Sequence, residues 1–167
     1  MSVSLSNEEM LAKARELPLP KSWDRAQFIK NLAEMRGRPI HLIAADTVSL
    51  AGSPCGLWIK RADDDIIVHE ADTSQYHIDQ IVRHEVGHMM LGHDRAQEQN
   101  PAVGSGASLF HTVMPSINPA AVQAVLGRQD FSGDQEREAE TFATMLMFAA
   151  HEKETKASMM RSVFFRR

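Results

Sequence analysis

The chain has 167 residues, 43% of them hydrophobic and 24% charged, which is enough for one domain with its own hydrophobic core. A formal net charge of -4 excludes a nucleic-acid binder that works by neutralising phosphates, and a lone cysteine, Cys55, excludes an internal disulfide framework. No apolar run is long enough to span a membrane, and the opening MSVSLSNEEM lacks the basic start and apolar core of a signal peptide, so a cytoplasmic chain with neither a membrane nor a direct nucleic-acid partner is expected.

Ser6-Asn7-Glu8-Glu9 reads as a capping box and predicts a helix to about Glu16, stopped ahead of Pro18 and Pro20. A second helix is expected from Ser22. Trp23, Ala26, Phe28, Ile29, Leu32, Ala33 and Met35 form its apolar stripe, with Gly37 just past its end and Pro39 blocking continuation. Residues 1–38 thus make an N-terminal helical segment. Strands are expected at Pro39–Ala44, Gly56–Lys60 and Asp65–His69, the last two joined by Asp63-Asp64 as a hairpin. The expected class is α+β, with a small antiparallel sheet of about three strands ahead of a central helix. An exposed edge of such a sheet can take substrate backbone as an added strand.

The central helix is expected from about Ser74 to Leu91, capped by Thr73 or Ser74 and ended by Gly92. Ile78, Val82, Val86 and Met89 form one apolar row, and Ile81 and Leu91 lie on another, so the helix should be largely buried. Gly87 costs about 1 kcal/mol against alanine in a helix interior, which points to close approach by another backbone. Residues 97–108 read as loop. Asn118-Pro119 and Gly127 bracket an expected helix with an Asn cap, Pro at its first position and Gly at its end. A last helix is expected from Ser132 to Asp134 through Glu154, burying Ala139, Phe142, Ala143, Leu146, Met147 and Ala150. With no repeat or linker, the chain is expected to be a single domain over 1–167, with 39–150 as its core and 151–167 as a tail rich in arginine and apolar residues.

Within the central helix stands His84-Glu85-Val86-Gly87-His88. Histidines four residues apart lie one helical turn apart on one face, so both imidazoles can reach one ion, and Glu85 beside the first can take a proton from water without being a ligand. This is the H-E-x-x-H arrangement of zinc hydrolases, with Zn²⁺ or another divalent ion as the expected cofactor. Catalytic zinc needs a third protein ligand. The extended three-histidine pattern fails, because Leu91 and Asp94 stand where it needs glycine and histidine. The remaining candidates are on the last helix. Glu136 shares a face with Ala139, Glu140 and Ala143 and is the first choice. Glu138 is the runner-up, and Glu140 is placed to accept a hydrogen bond from a ligand histidine. His93, His111 and Tyr76 are candidates for the pocket and for a donor to a developing oxyanion, with no spacing that separates them.

HEVGHMMLGH followed by Glu136-Arg137-Glu138-Ala139-Glu140-Thr141-Phe142-Ala143 resembles the ImmA/IrrE family of metallopeptidases, over about Ile40 to Ala150. The resemblance implies a compact gluzincin-like, minimal zincin fold with Glu136 as third ligand. It also implies an intracellular metallo-endopeptidase whose protein partner is a helix-turn-helix repressor. Two positions depart from the family pattern. Glu140 stands where Asn or Asp is usual, and Met145-Leu146-Met147-Phe148-Ala149 lacks the usual proline. The 48 positions between His88 and Glu136 (136 minus 88) are long for the family, so the intervening loop and the Asn118 helix are expected to shape specificity. A different class of function is a non-catalytic or conditional regulatory or toxin–antitoxin binding component built around a metal. The presence of Glu85 favours catalysis, since a structural ion needs no base. Nothing in the sequence sets an oligomeric state.

Overall fold

The computed structural model describes residues 4–46, 56–96, 122–127 and 130–165. They form an α+β domain whose elements run α1 (Asn7–Glu16), α2 (Arg25–Arg36), β1 (Ile40–Ala45), β2 (Leu57–Arg61), β3 (Asp65–Glu70), α3 (Gln75–Leu91), a 3-10 turn (His93–Ala96), β4 (Val122–Gly127) and α4 (Gly133–Phe164). Among the described residues no helix is long and apolar enough to cross a membrane.

The N-terminal helices follow their local signals, with one change. Ser6 and Glu9 form the capping box at the start of α1. In α2 the cap is Asp24, which accepts from the Gln27 amide at 2.8 Å, and not Ser22. Ser22 instead donates to Glu154 on α4 at 2.7 Å. Trp23 is held outside the helix, because its indole N–H donates to Asp79 at 2.9 Å and the Arg83 guanidinium lies over its ring. These tertiary partners move the helix start two residues downstream of the nearest hydroxyl.

The sheet differs from the expected antiparallel, roughly three-stranded one. It has four strands in the order β1-β3-β2-β4 and is mixed. β2 and β3 form the antiparallel hairpin, with Leu57 opposite Val68, but β1 pairs parallel to β3, with Ile40 opposite Asp65. The fourth strand replaces the helix expected over 118–127. Residues 122–127 pair antiparallel to β2, with Trp58 opposite Leu126. Positions 118–121 lie outside the described residues. The cap signals at Asn118 and Gly127 were local. The deciding factor is the alternation of VQAVLG, which puts Ala124 and Leu126 against the helix-side core and Val125 against the other face. A ladder to β2 then satisfies backbone groups that a short helix would have left to water.

Both faces of the sheet are buried, which explains the unbroken apolar run of β3. Trp58 and Ile67 join Phe28, Val82, Val86, Phe142 and Leu146 on the helix side, and Leu57, Ile59, Ile66 and Val68 form a second cluster opposite. At the sheet's end Asp65 is fully buried and accepts from Arg36 at 2.8 Å, Arg38 at 2.9 Å and the Trp58 indole at 3.0 Å. That hub ties α2 to the hairpin and offsets the cost of burying a carboxylate.

α3 runs from its Ser74 cap to Gly92, whose left-handed backbone (φ 68°) closes it. α4 packs along α3 and α1. It does not stop near Glu154. With no Gly or Pro between Asp134 and Phe164 it continues through the expected tail, leaving Met159, Met160, Val163 and Phe164 exposed. The reason for Gly87 is the α3–α4 crossing. A Cβ there would lie 3.0 Å from the Ala139 carbonyl oxygen and 3.2 Å from its Cα. Gly87→Ala should therefore push α4 outward. The clash typically costs about 1–3 kcal/mol, only partly offset by about 1 kcal/mol of helix propensity. Chemical denaturation should show a net loss of stability, and any metal ion that Glu136 helps to hold should bind more weakly, because Glu136 travels with Ala139. A variant as stable and as tightly metallated as wild type would contradict the close approach.

Candidate metal centre

The two histidines are placed by α3 alone, and the third group arrives on α4. Ser132 caps α4 in a capping box with Gln135, which fixes Glu136 in the first turn. Glu136 Oε1 lies 3.2 Å from His88 Nε2, Glu136 Oε2 lies 3.4 Å from His84 Nε2, and the two Nε2 atoms are 3.1 Å apart. These three side chains form the group able to hold a metal ion among the described residues. The spacing fits an ion. Donors about 2.0–2.1 Å from a tetrahedral centre stand roughly 3.3 Å from one another. The donor set, two imidazoles and a carboxylate, is also that of an open catalytic site. A further observation agrees: Glu85 Oε2 is buried with no hydrogen-bond partner among the described residues, beside the three donors.

The electrostatics follow from burial and proximity. Desolvation pushes Glu85 up to about 8, against the nearby His84. Burial likewise pushes His88 down to about 4, with His84 and His93 adding to it and Glu136 opposing. At Glu136 burial works upward, but hydrogen bonds from His84 and His88 outweigh it and bring the carboxyl down to about 2. At His84 burial works against the charge, and Glu136, Glu85 and Glu140 overcome it, raising the imidazole above its usual value. Without metal, then, Glu85 is protonated at pH 7, and His84 keeps its proton to a higher pH than an ordinary imidazole. A divalent ion must displace the His84 proton and favours ionised Glu85. Metal affinity should therefore rise as pH increases from about 6.5 to about 8. Calorimetry in buffers of different ionisation enthalpy should register proton release at pH 7, less in Glu85→Gln. Affinity independent of pH would contradict this charge state.

The other sequence candidates are dispersed. Glu138 does not join the three donors; its Oε2 lies 3.1 Å from His93 Nε2. His93 is buried behind His88, with the two Nδ1 atoms 2.9 Å apart, and not on the open side. Glu140 is exposed and makes no hydrogen bond to either histidine; it lies at a cavity of about 440 Å³ beside His84, which Ile81, Arg83, Ala143 and Met147 also line. Tyr76 is on the exposed rim of that cavity, its hydroxyl accepting from Gln80 at 3.3 Å. His111 lies outside the described residues. One residue had not been singled out. Phe131 stacks on His88, the ring centroids 3.7 Å apart and the planes 12° from parallel. Its signal was an apolar residue directly before the Ser132–Gln135 capping box, a position that ordinarily packs on the helix it precedes. Gly56 crosses over the site from β2: a Cβ there would meet Ile81 at 2.7 Å and Glu85 Oε1 at 3.2 Å.

No protein-family model, curated protein or solved structure matches the chain.

Proposed function

We propose that the chain is a zinc-dependent peptide hydrolase, a metallo-endopeptidase of minimal zincin-like architecture. The observation that carries this reading is the convergence of His84 Nε2, His88 Nε2 and the Glu136 carboxylate at 3.1–3.4 Å, next to the buried Glu85, whose Oε2 has no hydrogen-bond partner among the described residues. Held there, Zn²⁺ supplies a Lewis acid for a carbonyl oxygen and brings the pKa of a water ligand toward about 7. His84 and His88 bind through Nε2, and Glu136 adds the negative charge that makes the site selective for a cation. Glu85 takes the proton of the attacking water and hands it to the leaving amine. Its environment suits both steps: a bound cation would favour the ionised carboxylate that takes the proton, and desolvation raises its proton affinity so that it holds the proton for the leaving amine. The cavity beside His84, with Ile81, Ala143 and Met147 in its wall, offers an apolar recess for a substrate side chain.

The substrate class comes from the ImmA/IrrE resemblance: a repressor with a helix-turn-helix domain. The test is incubation of zinc-loaded chain with such repressors, with products read by mass spectrometry. Cleavage at a defined bond, stopped by a chelator and restored by zinc, is the expected result. Repressors bound but left intact by the zinc-loaded chain would replace this reading with that of a binding component.

A further inference from the structure

We infer that His93 and Glu138 are a positioning pair that fixes the tautomer and orientation of His88, an inference that rests on the metal site proposed above. The left-handed turn at Gly92 and the 3-10 turn after it fold His93 back beneath α3, where it is buried. Its ring meets His88 edge-on at a centroid distance of 5.1 Å. A 2.9 Å approach of two Nδ1 atoms requires one to donate and the other to accept. His88 must keep the lone pair on Nε2 for the ion, so its proton sits on Nδ1 and it is the donor. His93 then accepts on Nδ1 and carries its own proton on Nε2, which donates to Glu138 Oε2 at 3.1 Å. Only this assignment lets every group in the row keep its hydrogen bond while Nε2 of His88 faces the donors of the site.

α4 therefore grips His88 from two sides. Residues two apart on a helix point in roughly opposite directions, so Glu136 reaches the Nε2 side while Glu138 serves the Nδ1 side through His93. Phe131, one residue before the cap of the same helix, covers the ring face. His84 has no comparable support: its contacts among the described residues are with His88 and Glu136, both at Nε2. The two histidines of the motif are thus unequally supported, His88 from both ring nitrogens and one ring face, His84 at Nε2. The sequence had offered Glu140 as the carboxylate behind a ligand histidine; the geometry gives that work to Glu138, acting through an intervening imidazole.

Glu138 can be replaced without opening a void in the core, because it borders a solvent-open cleft of about 980 Å³ on the far side of the site. Zinc affinity should be measured by chelator competition in wild type, Glu138→Ala, Glu138→Gln, His93→Phe and the double variant His93→Phe/Glu138→Ala. Removing a partner of this kind costs on the order of 10–100-fold in metal affinity. His93→Phe should fall in that range. Glu138→Ala should lose about 10-fold and Glu138→Gln, which keeps an acceptor, less. The double variant should be no worse than His93→Phe, since the two act through one row. Nitrogen-15 imidazole spectra of the zinc-loaded protein should show His88 protonated at Nδ1 in wild type and a broadened or mixed signal in His93→Phe. A purely structural role would leave that signal unchanged in folded protein. Wild-type zinc affinity in Glu138→Ala, or additive losses in the double variant, would overturn the pair alone, and Glu138→Ala decides if His93→Phe fails to fold. A wild type that binds no zinc would overturn the metal site and this inference together.

Discussion

Glu85→Gln is expected to abolish peptide hydrolysis while the metal stays bound. Glutamine fills the same space but cannot take a proton, so the attacking water loses its base and the leaving amine its acid. Proton transfer by a positioned side chain contributes about 10²–10⁴-fold, and turnover should fall by at least that much. Metal content should hold, because Glu85 is not among the three converging donors. The same substitution has a signature without metal. The Glu85 carboxyl is raised from 4.5 to about 8 in the folded chain, so its contribution to stability is complete below 4.5 and is lost as pH rises through 8. Metal-free wild type should therefore lose stability relative to Glu85→Gln as pH rises from about 4.5 to about 8, by denaturant titration. A variant that turns over substrate at the wild-type rate would remove Glu85 from the chemistry. A stability difference independent of pH would remove its buried, protonated state.

Glu136→Ala is expected to strip the metal. It takes away the one anionic donor and leaves two imidazoles, so affinity should drop by more than the ~10–100-fold that a supporting hydrogen bond is worth. The fold should survive, since alanine is the best helix former and the Ser132–Gln135 capping box is untouched. Zinc at 100 times its dissociation constant stabilises a wild-type fold by about 2.7 kcal/mol, and that increment should vanish from the variant's thermal or denaturant curve. Stoichiometric zinc at wild-type affinity in Glu136→Ala would reassign the third donor. The contrast with Glu138→Ala matters here, because these two glutamates, two residues apart on one helix, would have opposite ranks if Glu138 were the ligand.

That contrast also marks where sequence reasoning stops. Helical periodicity is a local property, so α3 was legible almost residue by residue: a cap at Thr73 or Ser74 (it is Ser74), its Gly92 end, its buried row and the shared face of His84 and His88 all follow from spacing within one turn or two. Even the backbone approach at Gly87 was implied by a glycine in a place that disfavours it, although nothing local named Ala139 as the neighbour. The capping signals of α1 and the β2–β3 hairpin were equally local and equally readable.

Where partners were distant in sequence, local signals failed or left a tie. Asn118 and Gly127 bracketed a helix, yet residues 122–127 form a strand, because a ladder to β2, about 60 positions upstream, was decisive. β1 lies parallel to β3, a pairing that no hairpin signal between neighbours could have specified. α2 starts at Arg25 and not at Ser22, whose hydroxyl donates instead to Glu154, more than a hundred residues away. Glu136 and Glu138 were both acidic residues at a helix start. The choice between them came from how α4 crosses α3, which points Glu136 at the histidines and Glu138 at His93. By itself the sequence determined the two histidines, the adjoining Glu85 and the helix that carries them, since one turn of α-helix sets their geometry. Only the tertiary structure decided which glutamate meets them and what stands behind His88, since those contacts depend on two helices brought together across 48 positions of chain (136 minus 88).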